Sequence, residues 1–199
     1  MLPLMDVYNA ATSRRTIRRF KQDRIPRVVL DRMLDAARLA PSGSNLQPCE
    51  YVVVTDAEKL QKVFACLKWA GYIAPAGDPP EGQRPTAYVV VLINRRIRET
   101  GGAHDSSAAI ENMLLVAWEQ GVGSCWLGSV DREQVRRILS IPPNYEIDSV
   151  VSLGYPNEQP VVEEVKDSIR YWKDERGVLH VPKRALRDLV HCEEFGKGA

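Results

Sequence analysis

The sequence has little of what marks a secreted, metal-bound or membrane-embedded protein. Its four cysteines, Cys49, Cys66, Cys125 and Cys192, are spread over 199 residues with no CxxC or CxxH spacing. That pattern reads as reduced thiols and excludes a disulfide framework or a zinc site. The three histidines, His104, His180 and His191, are equally scattered, and no HExxH occurs, so no metal is expected. GxSxG, Walker and GxGxxG motifs are all missing. The longest apolar runs, Ala87–Ile93 and Met113–Trp118, are far too short to span a bilayer. Met1–Met5 is apolar but has no basic flank and is broken by Asp6, so no signal peptide is expected. The 27 basic side chains nearly balance 26 acidic ones, without the excess that a nucleic-acid backbone demands. These absences point to a cytoplasmic protein with neither membrane nor nucleic acid as a partner.

What is present is ordinary globular material, 44% hydrophobic and 27% charged. No repeat or low-complexity tract divides it, so residues 1–199 read as one domain, with a C-terminal arm from about residue 156. Asp6–Ser13 reads as a short helix. Pro26, at a first helical position, opens a second that Pro41 stops, with Val29, Leu30, Met33, Leu34 and Ala37 on one face. Ala57–Trp69, Asp105–Gln120 and Arg132–Leu139 read as further helices. Glu50–Thr55, Ala87–Ile93 and Asp148–Leu153 read as buried strands, with a short segment at Ser124–Leu127. Ala74–Pro85, rich in proline and glycine, must be loop. Strands separated by helices indicate an α/β-type sheet covered on both faces. The Asp105–Gln120 helix is so apolar that a second subunit covering one side is expected.

Four segments could carry chemistry, and each has a plain structural alternative. Ser13–Phe20 packs four guanidiniums around Thr16, which suits a phosphate but also describes a solvated basic turn. Ala40–Pro48 displays two serines, an asparagine and a glutamine that could read a heterocycle's polar edge, or simply stop a helix. Gly121–Gly128 could let backbone approach a flat ligand, or could be a glycine helix cap followed by a core tryptophan. Lys183-Arg184 could add charge to the same anion, or be surface charge. No acid, base and nucleophile set is present, so hard chemistry would have to come from a cofactor.

Taken in order, these segments resemble the FMN-dependent nitroreductase family. The resemblance rests on Arg14-Arg15-Thr16-Ile17-Arg18-Arg19-Phe20, on Ala40 through Cys49, on Gly121 through Gly128 and on Gly154-Tyr155-Pro156. It covers about Tyr8 to Asp188. It implies an α+β, three-layer fold, with a mainly antiparallel sheet between helices, built as an intertwined homodimer with FMN at two interface sites. By position, Arg14, Arg15, Thr16 and Arg18 would hold the phosphate and ribityl end, joined by Lys183 or Arg184. Pro41, Ser42, Gly43 and Asn45 would reach the flavin from the partner subunit. The backbone of Trp126, Leu127 and Gly128 would lie against the isoalloxazine, with Lys68 near its pyrimidine end. Cys49 stands where many members have tryptophan, and Ala74–Pro85 is variable territory. The implied activity is ping-pong reduction of nitro, quinone or other electron-poor small molecules by NADH or NADPH through flavin N5, with no protein side chain as catalyst. A specialised flavin enzyme, dehalogenating or flavin-consuming, is the alternative within the fold. A non-catalytic module gripping RNA or an acidic partner through Arg14–Arg19 is the alternative outside it.

Overall fold

Strand β2 (Ala87–Asn94) is buried along its whole length and sorts its side chains between two cores. Ala87, Val89 and Val91 join one, while Tyr88, Val90 and Leu92 join the other, as the two-residue period of a strand requires. The computed structural model describes residues 5–198. The leader expectation for Met1–Met5 therefore lies, Met5 apart, outside the described residues. With β1 (Cys49–Val54), β3 (Gly123–Leu127) and β4 (Tyr145–Gly154), β2 forms a sheet in the order β1-β2-β4-β3. Every pairing in it is antiparallel. The expectation of an α/β-type sheet is thus corrected to α+β. Continuous apolar strands usually belong to parallel sheets, because helices cover both faces. Here helices cover both faces of an antiparallel one.

On one face lie α2 (Arg27–Arg38) and α4 (Ala103–Glu119), packing Leu30, Met33 and Ala37 with Ala109, Ile110 and Met113. On the other lie α3 (Ala57–Phe64) and α5 (Arg132–Leu139), contributing Val63 and Val135. The short α1 (Val7–Ser13) is capped by Asp6, whose carboxylate accepts the Asn9 N–H at 2.7 Å. The start of α2 and the end of α3 differ from expectation. Pro26 is the N-cap residue of α2 rather than its first helical residue. Helix α3 ends at Phe64, because residues 66–68 leave it to pair with residues 129–131. Along α4, Ala109, Ile110, Met113, Leu114 and Ala117 are buried in the single chain, while Leu115, Val116 and Trp118 stay half-buried.

The C-terminal arm, unresolved in pattern from sequence, forms a small second sheet. Its strands β5 (Val161–Glu164), β6 (Trp172–Lys173) and β7 (Leu179–Lys183) run in the order β5-β7-β6. Among the described residues no helix is long and apolar enough to cross a membrane, and no cluster of metal-ligating side chains occurs. All four cysteines are free.

Candidate functional site

The arginine-rich segment is an added edge of the main sheet. Thr16 bridges in parallel to Ser124 of β3, and the Ile17 N–H donates to the Ser124 carbonyl at 2.9 Å. Further on, Phe20 bridges to Pro156 and the Lys21 N–H donates to the Tyr155 carbonyl. A carboxylate oxygen of Glu158 accepts the backbone N–H groups of Arg18 and Arg19 at 2.5 and 3.2 Å. Backbone so anchored fixes where the guanidiniums start.

Arg14, Arg15, Thr16 and Arg18 line one cleft of about 320 Å³ together with Tyr171 and Lys183, and Arg19 lies outside it. The Nε atoms of Arg14 and Arg18 are buried and have no hydrogen-bond partner. Glu111 approaches Arg14 only at 3.7 Å, too long for a hydrogen bond, and Arg18 lies over the Tyr171 ring at 5.3 Å. Burial, and then the neighbouring Arg14 charge, lower the Arg15 pKa. Burial is the larger cause, and the Arg15 guanidinium also donates to the Arg14 and Thr12 carbonyls. Donors left unsatisfied in a native protein call for a ligand or ordered water, and forked guanidiniums beside a hydroxyl suit a phosphate group. Lys183 lines this cleft from β7. Arg184 does not, since its guanidinium turns away to donate to the Asp188 carbonyl at 2.7 Å.

Beyond Ser124, β3 runs to Trp126, Leu127 and Gly128. Leu127 is buried, whereas a Cβ at Gly128 would meet nothing within 4 Å. The Trp126 indole N–H donates to Ser149 Oγ at 2.9 Å, and that hydroxyl donates to Asp148 at 2.8 Å. Lys68 is brought alongside by its own N–H, which donates to the Ser129 carbonyl at 3.1 Å. The other glycines of this segment serve the fold. Gly121 caps α4 at φ +73°, and Gly123 makes room for Ile17.

Pro41, Ser42, Gly43 and Asn45 belong to a different place. Their loop leads into β1, at the sheet edge opposite β3, and Pro41 and Ser42 line a small cleft of about 150 Å³ with Cys49, Tyr51 and Asp105. Ser44, Asn45 and Gln47 all hold positive φ, a conformation that costs non-glycine residues and is retained where the surroundings enforce it. The enforcement comes from Asp105, only 6% exposed, which accepts the Gly43 N–H at 2.9 Å and pairs with Arg98 at 2.9 Å. The Gln47 N–H donates to Ser42 Oγ at 3.0 Å. Sequence reasoning named neither Asp105, Arg98, Glu158 nor Tyr171 as site residues. Their partners are distant in sequence and no local motif announces them.

The expected residues therefore fall into two groups. Arg14, Arg15, Thr16, Arg18, Lys183, Trp126, Leu127, Gly128 and Lys68 follow β3. Pro41, Ser42, Gly43 and Asn45 precede β1. Three strand spacings, roughly 14 Å, separate the two edges.

Residues 11–155 match the family model described as Nitroreductase family. A candidate NADH dehydrogenase/NAD(P)H nitroreductase of Archaeoglobus fulgidus is 35% identical over 190 residues, 92% of this chain and 95% of that protein. The NADH dehydrogenase of Thermus thermophilus is 30% identical over 185 residues, 79% of this chain and 90% of its own. Among solved structures, an FMN-dependent nitroreductase from Clostridium difficile R20291 superposes with a TM-score of 0.69 at 26% identity. That match covers 94% of this chain and 98% of the other.

Proposed function

Because the chain belongs to the Nitroreductase family, we propose that it is an FMN-dependent oxidoreductase. It takes electrons from NADH or NADPH and passes them to a small electron-poor acceptor such as a nitro compound or quinone. The observation that carries this reading is that the buried Nε atoms of Arg14 and Arg18 make no hydrogen bond in a cleft that Thr16 and Lys183 also line. When bound, FMN supplies the hydride-accepting and hydride-donating centre that no side chain here provides.

In this reading Arg14, Arg15, Thr16, Arg18 and Lys183 hold the phosphate end, and Arg184 is released from that role. The open backbone at Gly128 and the adjoining Lys68 border the ring. The residues contribute binding and orientation, not covalent catalysis. Burial, reinforced by Asp105 and Asp148, pushes the Cys49 thiol up to about 11, and burial also takes Cys125 to about 11. Both remain thiols at neutral pH and are poor nucleophiles.

Pro41, Ser42, Gly43 and Asn45 enter the same site only from a second copy, since their own chain places them at the far sheet edge. A homodimer with two shared sites accommodates both groups. Exposed apolar side chains at Val7, Tyr8, Leu39, Leu186, Leu189 and Phe195 supply surface for that association.

The test is anaerobic mixing of FMN-loaded protein with NADH or NADPH. Loss of flavin absorbance, and ping-pong steady-state kinetics with an acceptor such as a quinone, are the expected results. A flavin that stays oxidised under both donors overturns the reductase reading.

A further inference from the structure

A second pocket, sharing no residue with the arginine cleft or the Pro41 loop, lies between α3, β2 and the segment before it. Its volume is about 380 Å³, and Leu60, Phe64, Pro85, Arg84 and Tyr88 are among its lining residues. That is the size range of small-molecule sites. Of its lining residues, Pro85 and Tyr88 are buried.

Two donors in this pocket have no partner. Tyr88 is 1% exposed, yet its hydroxyl makes no hydrogen bond. Burial raises the Tyr88 pKa, a shift that the nearby Arg84 charge only partly opposes, so the phenol keeps its proton and can donate. The Arg84 Nε is likewise buried and unpartnered. Among the described residues this guanidinium has no carboxylate partner, and its one interaction is with the Phe64 ring, 4.2 Å from the centroid. Gln22 meets Arg84 only through the backbone, its amide donating to the Arg84 carbonyl at 3.1 Å. Gln61 and an exposed Glu81 complete the polar lining.

An arginine stacked on an aromatic ring without a counter-ion, beside a buried hydroxyl donor, is arranged to receive an oxyanion. The apolar walls from Leu60, Phe64 and Pro85 suit a hydrocarbon body attached to it. We infer that this pocket is a binding site for a small organic carboxylate, its carboxylate held by Arg84 and Tyr88 and its apolar part by Leu60 and Phe64. The site is independent of the flavin reading, because none of its lining residues belongs to the flavin groups.

The experiment is calorimetric titration of the purified protein, saturated with FMN, using benzoate as the probe and benzyl alcohol as its neutral counterpart. Benzoate is expected to bind saturably and benzyl alcohol at least about tenfold more weakly. Arg84→Gln and the isosteric Tyr88→Phe should each weaken benzoate by roughly tenfold or more, as losing a hydrogen bond to a charged group does. FMN affinity and the circular dichroism spectrum should stay unchanged. Should Arg84→Gln not fold, Tyr88→Phe decides alone. Benzoate binding that shifts the flavin spectrum and ignores both substitutions overturns the inference. So does the absence of saturation up to roughly 10 mM, which would assign the two donors to water.

Discussion

Ile17 packs against Gly123 so closely that a Cβ on residue 123 would stand 2.8 Å from Ile17 Cγ1 and 2.9 Å from Ile17 Cβ. This contact seats the arginine segment on the edge of β3. Ile17 is 1% exposed and branched at Cβ, so it has little freedom to move aside. Gly123→Ala should therefore cost about 1–3 kcal/mol of stability, as overpacking does. It should also loosen the backbone that aims Arg14 and Arg18. Urea unfolding measures the first effect, and FMN titration of the folded variant measures the second. A variant with unchanged stability and FMN affinity would show that the segment is placed by something other than this contact.

The cleft geometry divides the basic side chains into members and bystanders. Arg14→Ala removes a charged donor whose Nε has no hydrogen-bond partner and only a long ion pair to Glu111. It should weaken FMN by ten- to a hundredfold, about 1.5–3 kcal/mol. Riboflavin, lacking the phosphate, should be affected far less. Lys183→Ala should act in the same direction, whereas Arg184→Ala should leave both ligands alone because its guanidinium is engaged with Asp188. Equal losses for FMN and riboflavin in Arg14→Ala would remove Arg14 from the phosphate contact.

The same particulars explain what the sequence could and could not disclose. Arg14–Phe20 reads as a cluster of guanidiniums because residue types survive any fold, and the structure brings Arg14, Arg15 and Arg18, but not Arg19, to one cleft. Gly123 reads in sequence as a glycine for a flat ligand or a helix cap, but what it makes room for is Ile17, a partner over a hundred residues away that no local pattern names. Lys68 reads as helical on periodicity, yet the pairing of Leu67 with Val130 ends α3 first, a tertiary contact overriding local preference. Parallel and antiparallel strands buried on both faces look alike in sequence, which is why β2 and β4 suggested the wrong sheet type. The separation of Asn45 from Arg14 to opposite edges depends on strand order, which spacing does not encode.

The C-terminal arm should loosen in acid. His180 stacks on Trp172 at 4.1 Å and lies between two carboxylates, 3.1 Å from Glu163 and 3.6 Å from Asp174. Hydrogen bonds from the Trp172 indole and then His180 hold the Glu163 carboxyl below its ordinary pKa. The Val178 backbone N–H is the main cause of the lowered Asp174 pKa. A carboxyl depressed in the folded state adds stability above its unfolded pKa, near 4 for these groups, and that stability disappears as pH falls through the folded value. The Trp172 fluorescence contribution, isolated by subtraction of a Trp172→Phe variant, should therefore change below about pH 4. In Glu163→Gln the transition should shrink. An arm signal flat from neutral pH to about pH 2 would contradict the linkage.

If each active site draws on both edges of the sheet, it must draw on two chains. Arg14 follows one edge beside β3 and Asn45 precedes the other at β1, so a flavin touching both needs Asn45 from a second copy. Arg14→Ala and Asn45→Ala homodimers would each be damaged at both sites. Heterodimers made by co-expressing the two variants, with different affinity tags for purification, would concentrate both lesions in one site and leave the other intact. By the closed two-site geometry of a twofold pair, such heterodimers should recover about half the wild-type flavin binding and activity per dimer. The reverse arrangement, in which one chain builds a whole site, predicts one Arg14 lesion and one Asn45 lesion in separate sites, hence no intact site and no recovery. Heterodimers as impaired as their parents would refute sharing, and a chain that sediments as a stable, active monomer would refute it without any mutant.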